Sequence, residues 1–278
     1  MGKKSGFSYY ISLLLWLTFF FVIPTLVIVV FSFLKKHPYG GVIWDFDLGA
    51  YASLFDKIFL KIVFRTIEIS IWVTVITLIL ALPAAYFISR SKLKNLWLLL
   101  VIIPFWTNFL VRIYSFIAIL GNNGIVNKML QFVFHLDGPV QLLYNQNAVI
   151  IVTVYIYLPY AILPLYSSIE KFDFSLLDAA RDLGATKTVS MMKIFLPGIK
   201  SGLVSAVILT FIPAVGSYAV PDLLGGNDAI MLGNVIGKRL LESRDWPVAS
   251  AVSTVLIVFT TIAVVFFMRS SKEEEGDQ

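Results

Sequence analysis

Six long runs of apolar residues are the feature that most constrains the fold of this chain. They cover about residues 8–34, 66–89, 96–120, 147–168, 198–221 and 247–268. A helix needs about 20 residues to cross the ~30 Å hydrocarbon layer of a bilayer, and each run reaches that length. Because a backbone in lipid must satisfy its own hydrogen bonds, we expect an all-α membrane protein with six transmembrane helices.

The composition agrees with this architecture and argues against other classes of protein. Of the 278 residues, 58% are hydrophobic and 14% are charged, whereas an average soluble domain has about 45–50% and about 25%. This balance argues against a disordered chain, an ordinary soluble enzyme and a nucleic-acid-binding protein. The chain has no cysteine, and its two histidines, His37 and His135, lie far apart. We therefore expect no disulfide, no metal site and no catalytic residue.

Basic residues in the short connecting segments predict the orientation in the membrane, because segments rich in Lys and Arg stay on the cytoplasmic side. Those residues are Lys3, Lys4, Arg90, Lys92 and Lys94. We therefore expect both termini and the 169–197 loop in the cytoplasm, an N-in/C-in arrangement. The first run is too long for the core of a secretory signal, so we expect it to be a retained span. The outer loops are then expected to be 35–65, 121–146 and 222–246.

The 169–197 loop has the pattern of two short helices. Ser175 followed three residues later by Asp178 is a capping-box pattern, Gly184 is suited to end a helix, and Thr186 offers a second N-cap. Apolar residues at helical spacing form one face of the first helix. They are Leu176, Leu177, Ala180 and Leu183. A short amphipathic helix outside the membrane must cover this face with the membrane surface or with a groove of a partner.

The spacing within this loop resembles the EAA loop of the permease subunits of ABC importers, E-A-A-x3-G-x9-I-x-L-P. The spacing is met without a gap, with Asp178 in place of the usual Glu. The resemblance implies a type I ABC importer permease (MetI-like) fold, a single permease domain over residues 1–278, and a loop that docks in a cleft of a cytoplasmic ATPase. The coupling residues it implies are Asp178, Ala179, Ala180, Gly184, Ile194, Leu196 and Pro197.

The third apolar run narrows the resemblance. Its segment 104–114 is similar to the P-F-W-T-N-x-L-x-R-x-Y segment of spermidine/putrescine permeases, and further stretches extend the similarity to about residues 50–268. The resemblance implies a subunit of an importer in the bacterial cytoplasmic (inner) membrane that carries polyamines delivered by a solute-binding protein. Six spans supply half of such a pathway, so a second, paralogous permease is implied. The chain has no Walker-type phosphate loop, so we expect it to bind no cofactor and expect ATP and Mg²⁺ on the separate ATPase.

A passage for polyamines needs aromatic faces for cation–π contacts and a few oxygen atoms, because these solutes are flexible polycations. At 1.5 Å per residue, Trp106 would lie ~15 Å inside the third span, and Tyr155 and Tyr157 ~12–15 Å inside the fourth. The substrate-pathway candidates are Trp106, Asn108, Tyr155, Tyr157, Ser217 and Tyr218. The alternative for any one aromatic residue is helix packing or an interfacial belt.

Arg112 is a charged residue within an apolar run, ~24 Å from the inner end of the third span. Its sign disfavours direct contact with a polycation. We expect it to join an outer gate or packing network with at least one of Glu68 and Asp222. The alternative is that Arg112 extends to the membrane surface without a partner.

The apolar stripe within 228–243 would contact the solute-binding protein or lie in the membrane interface.

The sequence is also compatible with other functions. An importer of the same class could carry another small solute, such as an opine, an amino-acid derivative or an inorganic ion. A different class would be an ion channel or an intramembrane enzyme. The EAA-like loop argues against both, and the lack of paired acids or histidines in a span argues further against the enzyme.

Overall fold

The computed structural model describes residues 11 and 13–272, with side chains described up to residue 269. The expectations for Lys3, Lys4 and the start of the first apolar run at residue 8 lie outside the described residues. Within them the chain is largely helical, with one antiparallel hairpin of two strands.

The described elements have the following bounds. The first are α1 Leu13–Phe31, β1 Leu34–Lys36, β2 Val42–Phe46 and α2 Gly49–Ser53. The next are α3 Lys57–Arg90, α4 Lys94–Trp106, α5 Phe109–Leu120, α6 Ile125–Phe134 and α7 Gln146–Glu170. These are followed by α8 Ser175–Asp182, α9 Lys187–Gly198, α10 Lys200–Val215 and α11 Ala219–Leu224. The last are α12 Leu232–Gly237, which continues as a π-helix at Lys238–Glu242, and α13 Trp246–Lys272.

Most of the apolar runs form helices that are long enough to cross a membrane. By length and composition, five described stretches qualify: Leu13–Phe31, Lys57–Arg90, Phe109–Phe134, Gln146–Glu170 and Trp246–Arg269. The pair α9 and α10 also qualifies when taken together, although it is bent by 68°. The total is therefore five or six, in agreement with an all-α membrane protein built on about six spans.

The third apolar run differs from the single helix expected over 96–120. Helix α4 ends in a 3₁₀ turn at Ile103–Trp106, and Thr107 is extended with a ψ of 144°. A separate helix, α5, begins after Asn108. The Asn108 Oδ1 accepts a hydrogen bond from the Leu110 N–H at 2.8 Å. An asparagine in this position caps a helix and so interrupts the backbone ladder, which hydropathy alone does not reveal.

The fifth apolar run, expected over 198–221, also departs from a straight helix. Pro197 lies in the last turn of α9, and the bend falls at Ile199, which has a φ of −108° and a ψ of 16°. Helix α10 ends at Val215, before the short helix α11. The polar end of the run is therefore outside the long helix.

By their internal contacts the described residues divide into two compact units, those up to residue 62 with 232–260 and those of 63–231 with the described residues from 261 onward. In the first unit, the β1–β2 hairpin is tied to the segment before α13. Lys36 Nζ lies 3.0 Å from Asp245 Oδ2, and the Gly41 N–H donates to the Arg244 carbonyl at 3.2 Å. The Asp245 side chain is buried, so this ion pair fixes one strand of the hairpin to the start of α13.

The second unit is organised around α7. One apolar cluster surrounds its first half, near Val149 and Val152, and another surrounds its last turns, near Leu165 and Ile169. Helix α10 lies close along α7 because Gly202 has no side chain: a Cβ there would be 2.4 Å from Ser168 Cβ. We call the two ends of this unit the Asn145 end and the Glu170 end, after the residues at the two ends of α7.

Candidate functional sites

The loop after α7 contains the predicted pair of helices, with one difference at its start. Helix α8 begins at Ser175, but no side chain caps it from the expected Ser175–Asp178 pair. The Asp173 Oδ1 instead accepts a hydrogen bond from the Ser175 N–H at 2.9 Å. Asp178 forms an ion pair with Arg181 one turn further on, at 3.3 Å. The capping-box prediction is therefore wrong because an aspartate two residues upstream takes that role.

The turn between α8 and α9 follows the sequence prediction. Gly184 has a φ of +88°, in the left-handed region that favours glycine. Thr186 Oγ1 accepts a hydrogen bond from the Val189 N–H at 3.3 Å and caps α9. Both predictions are confirmed, and together they fix the angle at which α9 leaves the turn.

The apolar face of α8 is divided between the core and the surface. Leu177 is buried in the cluster at the Glu170 end, which includes Phe195 of α9, and Ala180 is buried as well. Leu183 is 90% exposed, and Leu176 and Met192 are exposed as well. The helix pair is thus anchored to the core that includes α7 through its buried residues and leaves other apolar side chains exposed.

The predicted coupling residues all lie on this helix pair. Asp178, Ala179, Gly184 and Pro197 are exposed. Ala180 is buried, and Ile194 and Leu196 are half-buried against the cluster at the Glu170 end. They therefore do not form one patch: part of the set holds the pair to the core, and part faces outward.

A second group of interest lies around the break between α4 and α5. The Phe105 ring makes an edge-on contact with Tyr160 at 4.9 Å between centroids, and Tyr160 makes another with Tyr157 at 6.1 Å. The Phe109 ring joins this group through Arg112, which contacts both phenylalanines. We call Phe105, Phe109, Tyr157 and Tyr160 the ring cluster.

Arg112 contacts aromatic rings in the structure. Its guanidinium carbon lies 5.5 Å from the Phe105 centroid and 6.0 Å from the Phe109 centroid, and its Nε is buried without a hydrogen-bond partner. Glu68 is exposed on α3 and contributes to a separate cavity. Asp222 is exposed in the first turn of α11. Their predicted network with Arg112 stays a prediction.

The pathway candidates are distributed over several environments. Trp106 is 81% exposed at the end of α4, and Asn108 is used as the cap of α5. Tyr155 packs edge-on against Phe116 at 4.9 Å, whereas Tyr157 points to the ring cluster. Two more candidates lie just after α10, where Ser217 is buried and Tyr218 is exposed. Of the six candidates, only Tyr157 is a member of the ring cluster, which it joins through its contact with Tyr160.

A cavity of about 720 Å³ opens at the Asn145 end of the second unit. Two carboxylates line it, those of Glu68 and Asp228, together with the Trp72 ring and the side chains of Gln146 and Asn147. Sequence reasoning missed Asp228 because it follows Gly225-Gly226-Asn227, which reads as a turn, and because no spacing rule relates it to α3. Within the described residues, no group of three or more His, Cys, Asp or Glu side chains is arranged to hold a metal ion.

Comparison with known proteins relates this chain to membrane transport. Residues 76–271 match the family described as "Binding-protein-dependent transport system inner membrane component". The spermidine/putrescine transport system permease protein PotB of Haemophilus influenzae is 39% identical over 259 residues, covering 92% of this chain and 91% of that protein. The PotB protein of Escherichia coli K12 is 37% identical over 259 residues, covering 92% and 94%.

Solved structures support the fold. A chain of a bacterial alginate ABC transporter, crystallised with an alginate pentasaccharide-bound periplasmic protein, matches with a TM-score of 0.72. The match covers 96% of this chain and 93% of that chain at 17% sequence identity. At this identity the likeness concerns the fold alone, and it agrees with the predicted type I importer permease (MetI-like) architecture.

Proposed function

Because this chain belongs to the family of binding-protein-dependent transport system inner membrane components, we propose that it is the permease subunit of an ATP-driven importer of polyamines. The observation that carries the proposal is the 37–39% identity, over 92% of the chain, to permeases of spermidine/putrescine transport systems. The chain is a multi-pass membrane subunit of a transporter and not its ATPase. The description of its family implies a location in the bacterial inner membrane.

An importer permease of this family works with an ATPase and a solute-binding protein. The exposed apolar side chains of Leu176, Leu183 and Met192 are suited to dock on an ATPase that holds ATP and Mg²⁺. Leu177 of α8 is buried in the cluster at the Glu170 end, which includes residues of α7, so movement of the docked helix would be transmitted to α7. This division of the helix supports the coupling role of the 178–197 residues.

The same assignment gives the orientation. If α8 and α9 meet a cytoplasmic ATPase, the Glu170 end is cytoplasmic and the Asn145 end faces the solute-binding protein, in an N-in/C-in chain. A second, paralogous permease would complete the pathway, since one chain supplies half of the spans. The apolar segment 228–243 then lies on the outer side, where it would touch the solute-binding protein or the membrane interface.

The chemistry of several side chains suits a polycationic substrate. Aromatic faces attract ammonium groups, and carboxylates and side-chain oxygens balance their charge. The substrate-pathway role therefore falls to Trp106, Asn108, Tyr155, Tyr157, Ser217 and Tyr218. At the outer end, Glu68 and Asp228 line one cavity and would attract the polycation, with Asp222 as a further carboxylate on that side.

Uptake in a strain that lacks this gene tests the substrate. Uptake of radiolabelled spermidine should fall on deletion, return with a plasmid-borne copy, and be inhibited by excess unlabelled putrescine. Uptake of labelled proline should stay constant and so controls for the energy state of the membrane. Unchanged spermidine uptake on deletion would contradict the polyamine assignment.

The alternatives give different results in the same strain. An importer for another solute would leave spermidine uptake intact and would lose uptake of an opine, an amino-acid derivative or an inorganic ion. A channel would conduct when the partner ATPase is inactivated by mutation. The polyamine importer predicts that this mutation abolishes spermidine uptake.

A further inference from the structure

The ring cluster at the α4–α5 break already holds a cation, and that cation belongs to the chain itself. The Arg112 guanidinium lies over Phe105 and Phe109, at 5.5 Å and 6.0 Å from the ring centroids. Both distances are within the ≈ 6 Å range of a cation–π contact. Phe109 and Arg112 are one turn apart on α5. The interruption of the helix at Thr107 and Asn108 brings Phe105 of α4 to the same guanidinium.

Arg112 is an unusual choice if the position serves only to pack the helices. Its Nε is buried with no hydrogen-bond partner, and leaving such a donor unpaired costs free energy. A leucine or methionine would fill the space next to two phenyl rings without that cost. Helix packing therefore does not explain why residue 112 carries a positive charge.

The ring cluster also has exposed ring surface that Arg112 does not cover. Tyr160 is 43% exposed and Phe109 is exposed, so two of the rings reach the surface of this chain. Phe105, Tyr160 and Tyr157 form a continuous series of ring contacts leading away from the guanidinium. The aromatic faces that hold Arg112 are the kind that an alkylammonium group would use.

We propose that the ring cluster is an ammonium-binding site of the transport pathway and that Arg112 occupies it until an ammonium group of the substrate displaces it. This inference rests on the proposed polyamine function. Arg112 does not bind the substrate, because both are cationic. It competes for the same rings, and when it returns it expels the substrate.

This exchange meets a requirement of any transport pathway. A site must bind its substrate well enough to admit it and weakly enough to release it. A cluster of free rings would bind an ammonium group with no competitor, whereas an internal cation of similar affinity weakens that binding. Arg112 would thus set the affinity of the membrane-embedded site independently of the solute-binding protein.

The test uses the complex of this chain with its partner permease and ATPase in lipid nanodiscs, without the solute-binding protein, whose own affinity would dominate uptake. Equilibrium binding of radiolabelled spermidine is measured for the wild type, Arg112→Gln and Arg112→Gln combined with Phe105→Leu. Arg112→Gln should bind spermidine on the order of tenfold more tightly. The added Phe105→Leu should remove that gain, because it removes a ring that binds the ammonium group.

The matched control is Arg269→Gln, which removes the same charge from the exposed end of α13 and should leave binding unchanged. Equal or weaker binding by Arg112→Gln, or an equal gain with Arg269→Gln, would overturn the inference. If the wild-type complex binds spermidine but Arg112→Gln brings no gain, the inference fails and the polyamine function stands. If deletion of the gene leaves spermidine uptake unchanged and the wild-type complex does not bind spermidine, both fail.

A measurement on the wild type covers the case in which Arg112→Gln does not assemble. Phenylglyoxal modifies accessible arginines, and mass spectrometry of the digested chain reports each site separately. Spermidine should increase the modification rate of Arg112 severalfold, because displacement from the rings exposes the guanidinium, and should leave Arg269 unchanged. A rate at Arg112 that does not respond to spermidine would overturn the inference without any mutation.

Discussion

Buried hydroxyl groups on α3 differ in whether they have hydrogen-bond partners. Ser70 Oγ donates to the Thr66 carbonyl and Thr74 Oγ1 donates to the Ser70 carbonyl, both at 2.7 Å. Thr77 Oγ1, one turn further along, is buried without a partner. A buried polar group without a hydrogen bond destabilises the fold, whereas replacing it with an apolar group of the same shape removes that cost.

We therefore predict that Thr77→Val stabilises the chain by about 1 kcal/mol, since valine keeps the shape and loses the unpaired hydroxyl. The measurement is the free energy of unfolding in detergent, from a denaturant titration followed by circular dichroism. Thr74→Val is the matched control, and it should be neutral or destabilising because its hydroxyl has a partner. A loss of stability in Thr77→Val would contradict the prediction, since it would mean that the hydroxyl makes a stabilising hydrogen bond within the chain.

Single residues also show the limit of reasoning from charge. Arg112 lies within an apolar run, and its charge alone predicts a carboxylate partner such as Glu68 or Asp222. The structure gives its guanidinium two aromatic rings, because the break at Asn108 brings Phe105 across from α4. Ring contacts of this kind have no fixed spacing in the sequence, so the pattern of charges alone does not predict them.

Among the elements, α8 depends on an aspartate outside the helix. A hydrogen bond from the Ser175 hydroxyl, and then one from its backbone N–H, lower the pKa of Asp173 from its ordinary value of 3.8. Because the pKa is lowered in the folded chain, the carboxylate stabilises α8 above about pH 3.8. That contribution is lost as the pH falls through the lowered pKa of the folded state.

We predict that amide-exchange protection of α8 declines in the wild type below pH 3.8. It should be nearly independent of pH in Asp173→Asn, since the amide oxygen still caps the helix but does not titrate in this range. Exchange is measured by mass spectrometry on the purified chain and corrected for the intrinsic rate at each pH. Asp182→Asn, which lies at the other end of α8, is the control and should behave as the wild type does. The same decline in Asp173→Asn would exclude this carboxylate as the cause.

The positions of the helices could be predicted from the sequence, whereas the bends and interruptions between them could not. Apolar length predicted helices at each of the six runs, and the turn at Gly184 and Thr186 followed from local rules that need only a few neighbouring residues. The 68° bend at Ile199 and the division of α4 from α5 depend on how each segment packs and caps. Glu68 and Asp228 meet at one cavity only because the fold brings α3 near the 3₁₀ turn that includes Asp228.

For the whole molecule, the exposed apolar residues of α8, α9 and the turn between them concern assembly rather than folding. Leu183 is 90% exposed, so its side chain contributes little to the packing of this chain. An apolar residue in this position gains free energy when a partner covers it, and one such residue can account for much of an interface. The proposed ATPase contact therefore predicts that Leu183 affects assembly but not the stability of the chain.

We expect Leu183→Asp to reduce co-purification of the ATPase by about tenfold or more, because a buried, unpaired carboxylate at the interface is costly. The thermal midpoint of the isolated chain should not change. Leu177→Asp, at a side chain that is 3% exposed, should instead lower that midpoint. Leu48→Asp, at an exposed leucine just before α2, should leave both quantities unchanged. Leu183 and Leu177 lie on the same short stretch of chain. Loss of ATPase co-purification with Leu183→Asp and a lower thermal midpoint with Leu177→Asp would therefore show that one residue docks the ATPase and the other anchors the helix. Full co-purification with Leu183→Asp would mean that the ATPase binds elsewhere on the chain.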